Sequence, residues 1–174
     1  MELNTFNVQR KFACAIAKYE QHKEAKRRTY LDATGTVGRI NQDKQHLAEK
    51  EEEIYMRYKG ALAGEPIGHG ASDNRTGDPE RRTIELEKLS NGAVAKRVEA
   101  VETAFNDLRA YREKWGDFPE SVEKLILAIV ASCDNRKKYG FLGLQRAFDL
   151  PYSERSFRDY KARVLTKVAE TLGL

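Results

Sequence analysis

The chain has 174 residues, of which 40% are hydrophobic and 33% charged, and its mean hydropathy is −0.70. This length suits one or two domains, and the composition excludes both a fully disordered chain and one large apolar core. No apolar run is long enough to predict a membrane-spanning helix, and the first residues lack the apolar segment of a secretory signal. With only 4 prolines and 12 glycines, the sequence predicts an all-α protein with long helices. Because it lacks both a membrane-spanning run and a secretory signal, we expect a cytoplasmic protein without a membrane partner.

The N-terminal residues 1–62 predict a helical hairpin. Residues 8–31 form its first helix, whose polar side is mostly basic. Residues 32–38 hold two glycines and several β-branched side chains, which favours a turn. Residues 37–62 form the second helix; its heptad spacing of apolar residues is interrupted by Lys44 and Glu51, so it is expected to pack within its own chain as part of a coiled-coil-like region.

Residues 63–79 predict a flexible linker, because they hold four glycines and two prolines without an apolar pattern. A central long helix, residues 80–116, should follow, with Asp78 as N-cap and Pro79 at its first position. Gly92 either kinks this helix or ends a shorter first piece. Its apolar seam must be covered by helix 37–62, by a second subunit or by both, and predicts a homodimer; it comprises Val94, Val98, Val101, Phe105 and Leu108.

Residues 117–174 predict a helix-turn-helix domain. Asp117 and Glu120 have capping-box spacing before a helix that extends to about Ser132. A basic turn, residues 135–140, leads to a short apolar helix in residues 141–150. Residues 151–153 then form a tight turn, and Ser153 caps a final helix that ends near Leu172. This order of a short helix, a tight turn and a basic helix is typical of major-groove readers.

The final helix has a buried side and a polar side when it is phased at about 100° per residue. The buried side comprises Phe157, Val164, Val168 and Leu172, with Leu165 at its edge, and the opposite side comprises Arg155, Asp159, Ala162 and Thr166. Arginine can contact guanine with two hydrogen bonds, whereas serines and further arginines can hold phosphates. The predicted DNA-binding residues are Ser153, Arg155, Ser156, Arg158, Asp159, Ala162 and Arg163. The same pattern also fits a small helical bundle with a solvated charged face.

Positive charge is concentrated at one end of the chain. Residues 136–174 hold nine Lys/Arg and four Asp/Glu, whereas the other 135 residues hold 22 and 23. Such an asymmetry indicates a polyanion partner, although ordinary surface charges on helices can produce it too.

The segment from Ser153 to Arg158, Ser-Glu-Arg-Ser-Phe-Arg, resembles the Ser-x-Arg-Thr-Val-Arg stretch that opens the recognition helix of sigma-factor promoter-reading domains. The order of parts over residues 72–172 resembles the ArpU/RinA-like regulators of phage late genes, and the segment FLGLQRAFDL departs from the usual sequence of the short helix. The resemblance implies a sequence-specific DNA-binding transcription activator of phage or mobile-element genes. It also implies that the helical N-terminal part oligomerises or contacts host RNA polymerase.

Catalytic and metal-binding motifs are absent from the sequence. The three histidines are scattered, and Cys14 and Cys133 lie far apart in apolar helical contexts, as structural thiols do. We therefore expect no enzyme activity, no cofactor and no metal. Two alternatives to a transcription regulator remain: a phage DNA-packaging recognition subunit, and a helical adaptor or scaffold without nucleic acid.

Overall fold

The computed structural model describes residues 3–62, 78–134 and 140–174, and within them the side chains of 17–58, 79–134 and 140–174. These residues form helices and no strand, so the all-α prediction is confirmed. The predicted linker segment 63–77 and the basic turn 135–139 lie outside the described residues. The helices are α1 (Leu3–Gly38), α2 (Ile40–Leu62), α3 (Asp78–Ser90), α4 (Ala93–Glu113), α5 (Pro119–Cys133), α6 (Phe141–Phe148) and α7 (Glu154–Leu172). None of them is long and apolar enough to span a lipid bilayer.

The predicted turn at residues 32–38 is wrong, because α1 continues through this segment to Gly38. The hydroxyls of Thr34 and Thr36 donate to the carbonyl oxygens four residues earlier and so leave the helix intact. Val37 is fully buried in the core, and its burial outweighs the weak helix propensity of the flanking glycines. Only Arg39 separates α1 from α2.

The predicted pairing of residues 1–62 as a hairpin is also wrong. α1 packs against α5 and α7, whereas α2 packs against α3 and α4, and the two helices meet mainly near their junction. Among the described side chains, three ion pairs connect α2 to α3 and α4: Asp43 accepts two hydrogen bonds from Arg97, Lys44 contacts Glu102, and Arg57 contacts Glu85. The junction therefore directs the two halves of the N-terminal region to different partners.

The central region, residues 80–116, consists of two helices rather than one. α3 ends at Ser90 and α4 begins at Ala93, so Gly92 ends a shorter first piece. A Cβ on Gly92 would lie 3.1 Å from the carbonyl oxygen of Leu89, which fits the tight break. α3 begins at Asp78, the predicted N-cap, one residue before the predicted first helical position at Pro79.

A single apolar core joins the predicted helix-turn-helix to the rest of the chain. The most extensive helix pairing is between α4 and α7, and α1 packs on both α5 and α7. The core includes Val37 of α1, Leu108 of α4, Leu125 of α5 and Val164 of α7, all fully buried. The helices in residues 117–174 are therefore not a domain with a core of their own.

The apolar seam of α4 is covered inside the chain. Val101, Phe105 and Leu108 are buried in the common core, and Val98 packs against its edge. The seam therefore no longer supports a homodimer. Trp115, which follows α4, is 69% exposed and packs only loosely against Tyr111.

Candidate nucleic-acid interface

The N-terminus of α7 is capped by a side chain, as predicted. The Ser153 hydroxyl oxygen accepts a hydrogen bond from the backbone N–H of Ser156 at 3.1 Å, and the two hydroxyls lie 2.9 Å apart. Such a cap satisfies one of the free N–H groups of the first turn and fixes the start of the helix. The remaining free N–H groups and the helix dipole favour an anion at this end.

The turn before α7 is held by α6. Asp149 adopts a left-handed conformation (φ 50°) at the end of α6, and the N–H of Leu150 donates to the carbonyl oxygen of Gln145 at 3.1 Å. Leu150 is buried, and the rings of Phe141 and Phe157 lie 5.7 Å apart. α6 in turn packs on α5. The short helix α6 therefore contacts α7 through the ring pair of Phe141 and Phe157.

A half-buried polar cluster fixes the same turn from the other side. The Arg112 guanidinium donates to Asp117 and to the Tyr160 hydroxyl, and Tyr152 donates to the same Asp117 carboxylate oxygen at 2.6 Å. The Tyr152 and Tyr160 rings meet edge to face at 5.5 Å. Arg112 lies above both rings, 4.7 Å from the centroid of Tyr160. The cluster ties the end of α4 to the turn and to α7.

Hydrogen bonding within this cluster shifts the pKa values of Asp117 and Tyr152. Burial alone would raise the pKa of Asp117, but the hydrogen bonds from Tyr152 and Arg112 outweigh it and hold that pKa below its ordinary value. Burial and the hydrogen bond to Asp117 raise the pKa of Tyr152 to about 12. The predicted capping role of Asp117 is therefore wrong: Phe118 is the N-cap of α5, without a side-chain cap, and Pro119 is in its first turn.

The variant Tyr152→Phe tests the cluster through its pH dependence. At neutral pH we expect a loss of about 1–2 kcal/mol of unfolding free energy, because a half-buried carboxylate loses a donor. Folding raises the pKa of Tyr152 from ~10 in the unfolded chain to about 12. The Tyr152 hydroxyl therefore makes its full contribution to the unfolding free energy below pH ~10, and this contribution is lost as the pH rises towards about 12. Urea unfolding should show that the difference in unfolding free energy between wild type and variant narrows over this pH range. A constant difference would contradict the hydrogen bond from Tyr152 to Asp117.

The predicted DNA-binding residues lie together at the N-terminal half of α7. The exposed outer face of this helix comprises Arg155, Asp159, Ala162 and Thr166. The predicted buried side is confirmed for Phe157, Val164, Leu165 and Val168, whereas Leu172 is only half-buried against the core. Ser153 and Arg158 are also exposed, and Ser156 is half-buried.

The three arginines of α7 differ in their partners. Arg158 pairs with Glu154 on the preceding turn. Arg163 reaches α4, where it contacts Asp107 at 2.9 Å and lies 4.2 Å from the centroid of the Tyr111 ring. Arg155 has no ion-pair partner among the described side chains. Because the acidic partners offset the other two charges, Arg155 is the arginine of this face that is best placed to contact a ligand.

Several residues that position this face have no local sequence signal. Arg112 and Tyr160 are 48 residues apart, and Tyr152 is 35 residues from Asp117. Their roles depend on the crossing of α4 and α7, which periodicity does not reveal. Among the described side chains, no cluster of histidine, cysteine and carboxylate groups could hold a metal ion.

Comparisons with known proteins give no further information: no family model, no curated protein and no solved structure matches the chain. The resemblance to ArpU/RinA-like regulators therefore stays a prediction from the residues quoted above. The geometry of α6, the turn and α7 is what bears on function.

Proposed function

We propose that the protein is a sequence-specific double-stranded DNA-binding transcription regulator that reads the major groove with α7. The observation that carries this proposal is the unpaired Arg155 on the exposed first turn of a capped helix, braced by a short helix and a tight turn. A major groove about 12 Å wide admits one α-helix, and recognition helices contact base edges with their N-terminal residues.

Three residues of the outer face and the cap residue have chemical roles in this proposal. Arg155 donates two hydrogen bonds to a guanine edge, and Asp159 accepts one from a cytosine amino group. Ala162 is small enough to contact a thymine methyl group. Ser153, with the free N–H groups of the first turn, holds a backbone phosphate that sets the register.

The wider biological role follows from the resemblance rather than from the geometry. We extend the proposal to activation of phage or mobile-element genes, with host RNA polymerase as partner. A homodimer belongs to it because one recognition helix reads only a few base pairs, and paired half-sites extend the target. The interface of this homodimer does not include the apolar seam of α4, which is covered within the chain. A monomer in sedimentation at tens of micromolar, on the order of ordinary assay concentrations, would contradict the homodimer.

The deciding experiment is duplex binding by the full chain. We expect affinity for random duplexes that falls steeply between about 50 and 200 mM salt, and enrichment of one motif when a random-sequence duplex pool is selected. Binding without an enriched motif would contradict sequence-specific reading. Absence of any duplex binding at low salt would overturn the proposal in favour of a helical adaptor.

A further inference from the structure

The C-terminal half of α1 runs antiparallel to α7. Gly38, at the end of α1, packs on the backbone of Cys133 in α5, and Lys161 of α7 reaches the carbonyl oxygen of neighbouring Ser132. Further along, side chains between His22 and Tyr30 of α1 and between Leu165 and Glu170 of α7, with Leu174 beyond the end of α7, line a common groove of about 570 Å³. As α1 is followed back towards its N-terminus, it therefore runs towards the C-terminal end of α7.

This groove opens on the side of α7 that is proposed to face DNA. Thr166 lies on the outer face with Arg155, eleven residues or about three helical turns away, and it is exposed. Thr166 also lines the groove together with His22 and Lys26 of α1. Hence these two α1 side chains border the same surface as the outer face of α7.

A basic stripe follows this edge of α1. Lys18, His22 and Lys26 are spaced four residues apart, so they lie along one side of the helix, and all three are exposed. None of them has an ion-pair partner among the described side chains. The acidic neighbour across the groove, Glu170, is itself paired with Lys167 at 3.9 Å. The stripe is thus available to an external anion.

We propose that the α1 stripe, Lys18, His22 and Lys26, contacts the phosphate backbone of the duplex beside the bases that α7 reads. This inference rests on the proposed DNA-binding function and extends it. Eight residues of helix cover about 12 Å, whereas one strand carries a phosphate every ~3.4 Å along the duplex axis. The stripe therefore extends the contacted region by about three to four base pairs without adding base readout.

The test compares two double variants of the full chain with equal loss of charge. Lys18→Gln/Lys26→Gln removes the lysines of the stripe. Lys23→Gln/Arg27→Gln removes two exposed cations that lie about 100° further round the same turns, one residue after His22 and Lys26. Each is titrated against a cognate and a scrambled duplex over a range of salt concentrations. The stripe variant should weaken both complexes alike and reduce the slope of log affinity against log salt by about two. The control variant should leave the slope unchanged.

The outcomes separate this inference from the function on which it rests. If wild type binds duplex DNA but the two double variants have equal slopes, the α1 contact is wrong and the role of α7 stands. If wild type binds no duplex even at low salt, both proposals fail. A changed ratio of cognate to scrambled affinity in the stripe variant would also overturn the phosphate assignment, because it would indicate base readout.

Discussion

Replacing Arg155 with alanine should reduce affinity for the cognate duplex by about 1–3 kcal/mol and leave affinity for scrambled duplex nearly unchanged. The reason is that Arg155 is exposed on the first turn of α7 and has no ion-pair partner among the described side chains. Its loss removes base contacts and leaves no buried group unsatisfied, so the fold should be unaffected. Titration of cognate and scrambled duplexes, after circular dichroism has shown native helix content, measures the effect.

Arg158→Ala is the matched control for this experiment. Arg158 is exposed on the same turn, but Glu154 already pairs with it, and surface pairs of this kind contribute little to stability. We expect Arg158→Ala to reduce the affinities for the cognate and the scrambled duplex by similar amounts, both smaller than the effect of Arg155→Ala on the cognate duplex. If Arg155→Ala leaves the ratio of cognate to scrambled affinity intact in a folded protein, the proposed orientation of α7 on DNA is wrong.

The largest effect on stability should come from Gly38→Ala. A Cβ at this position would overlap the carbonyl group of Cys133, which is backbone and cannot move aside as a flexible side chain would. Overpacking of this kind costs about 1–3 kcal/mol or more, and it should outweigh the gain of up to about 1 kcal/mol from removing a helical glycine. α1 and α5 would have to separate, which would disturb the core around Val37.

Gly35→Ala provides the comparison, since it makes the same chemical change one turn earlier in α1. A Cβ there meets only the end of the Arg39 side chain, at 3.8 Å. We expect this variant to be neutral or slightly more stable than wild type. Urea unfolding of both variants measures the difference; equal stabilities would show that α1 and α5 do not approach as closely as the structure has them.

The C-terminal helices could be predicted from the sequence because a cap residue and the spacing of apolar residues, both within a few turns of the helix, determine them. Ser153 caps the helix that begins one residue later, and an apolar pattern with the period of an α-helix marks the buried side of α7. Both signals act within a few turns and depend little on distant residues. The position of Arg155 on the exposed face follows directly from that phase.

The N-terminal region and the polar cluster could not be predicted, because tertiary contacts override local preference there. Residues 32–38 have the composition of a turn, yet contacts with α5 and α7 keep them helical. Asp117 has the spacing of a cap, yet Arg112 and Tyr152 recruit its carboxylate. In both cases the deciding partners are distant in sequence or lie on another helix, so no short window contains the information.

The antiparallel packing of α1 on α7 bears on the order in which a nascent chain can fold. More than a hundred residues separate the end of α1 from the start of α7, and synthesis proceeds at about 5–20 residues per second. The apolar side of α1, with Ala33 and Val37, therefore stays without its final partner for roughly ten seconds during translation. α1 obtains its final helical partner only after α7 has been made, so this part of the core closes late relative to the formation of α1.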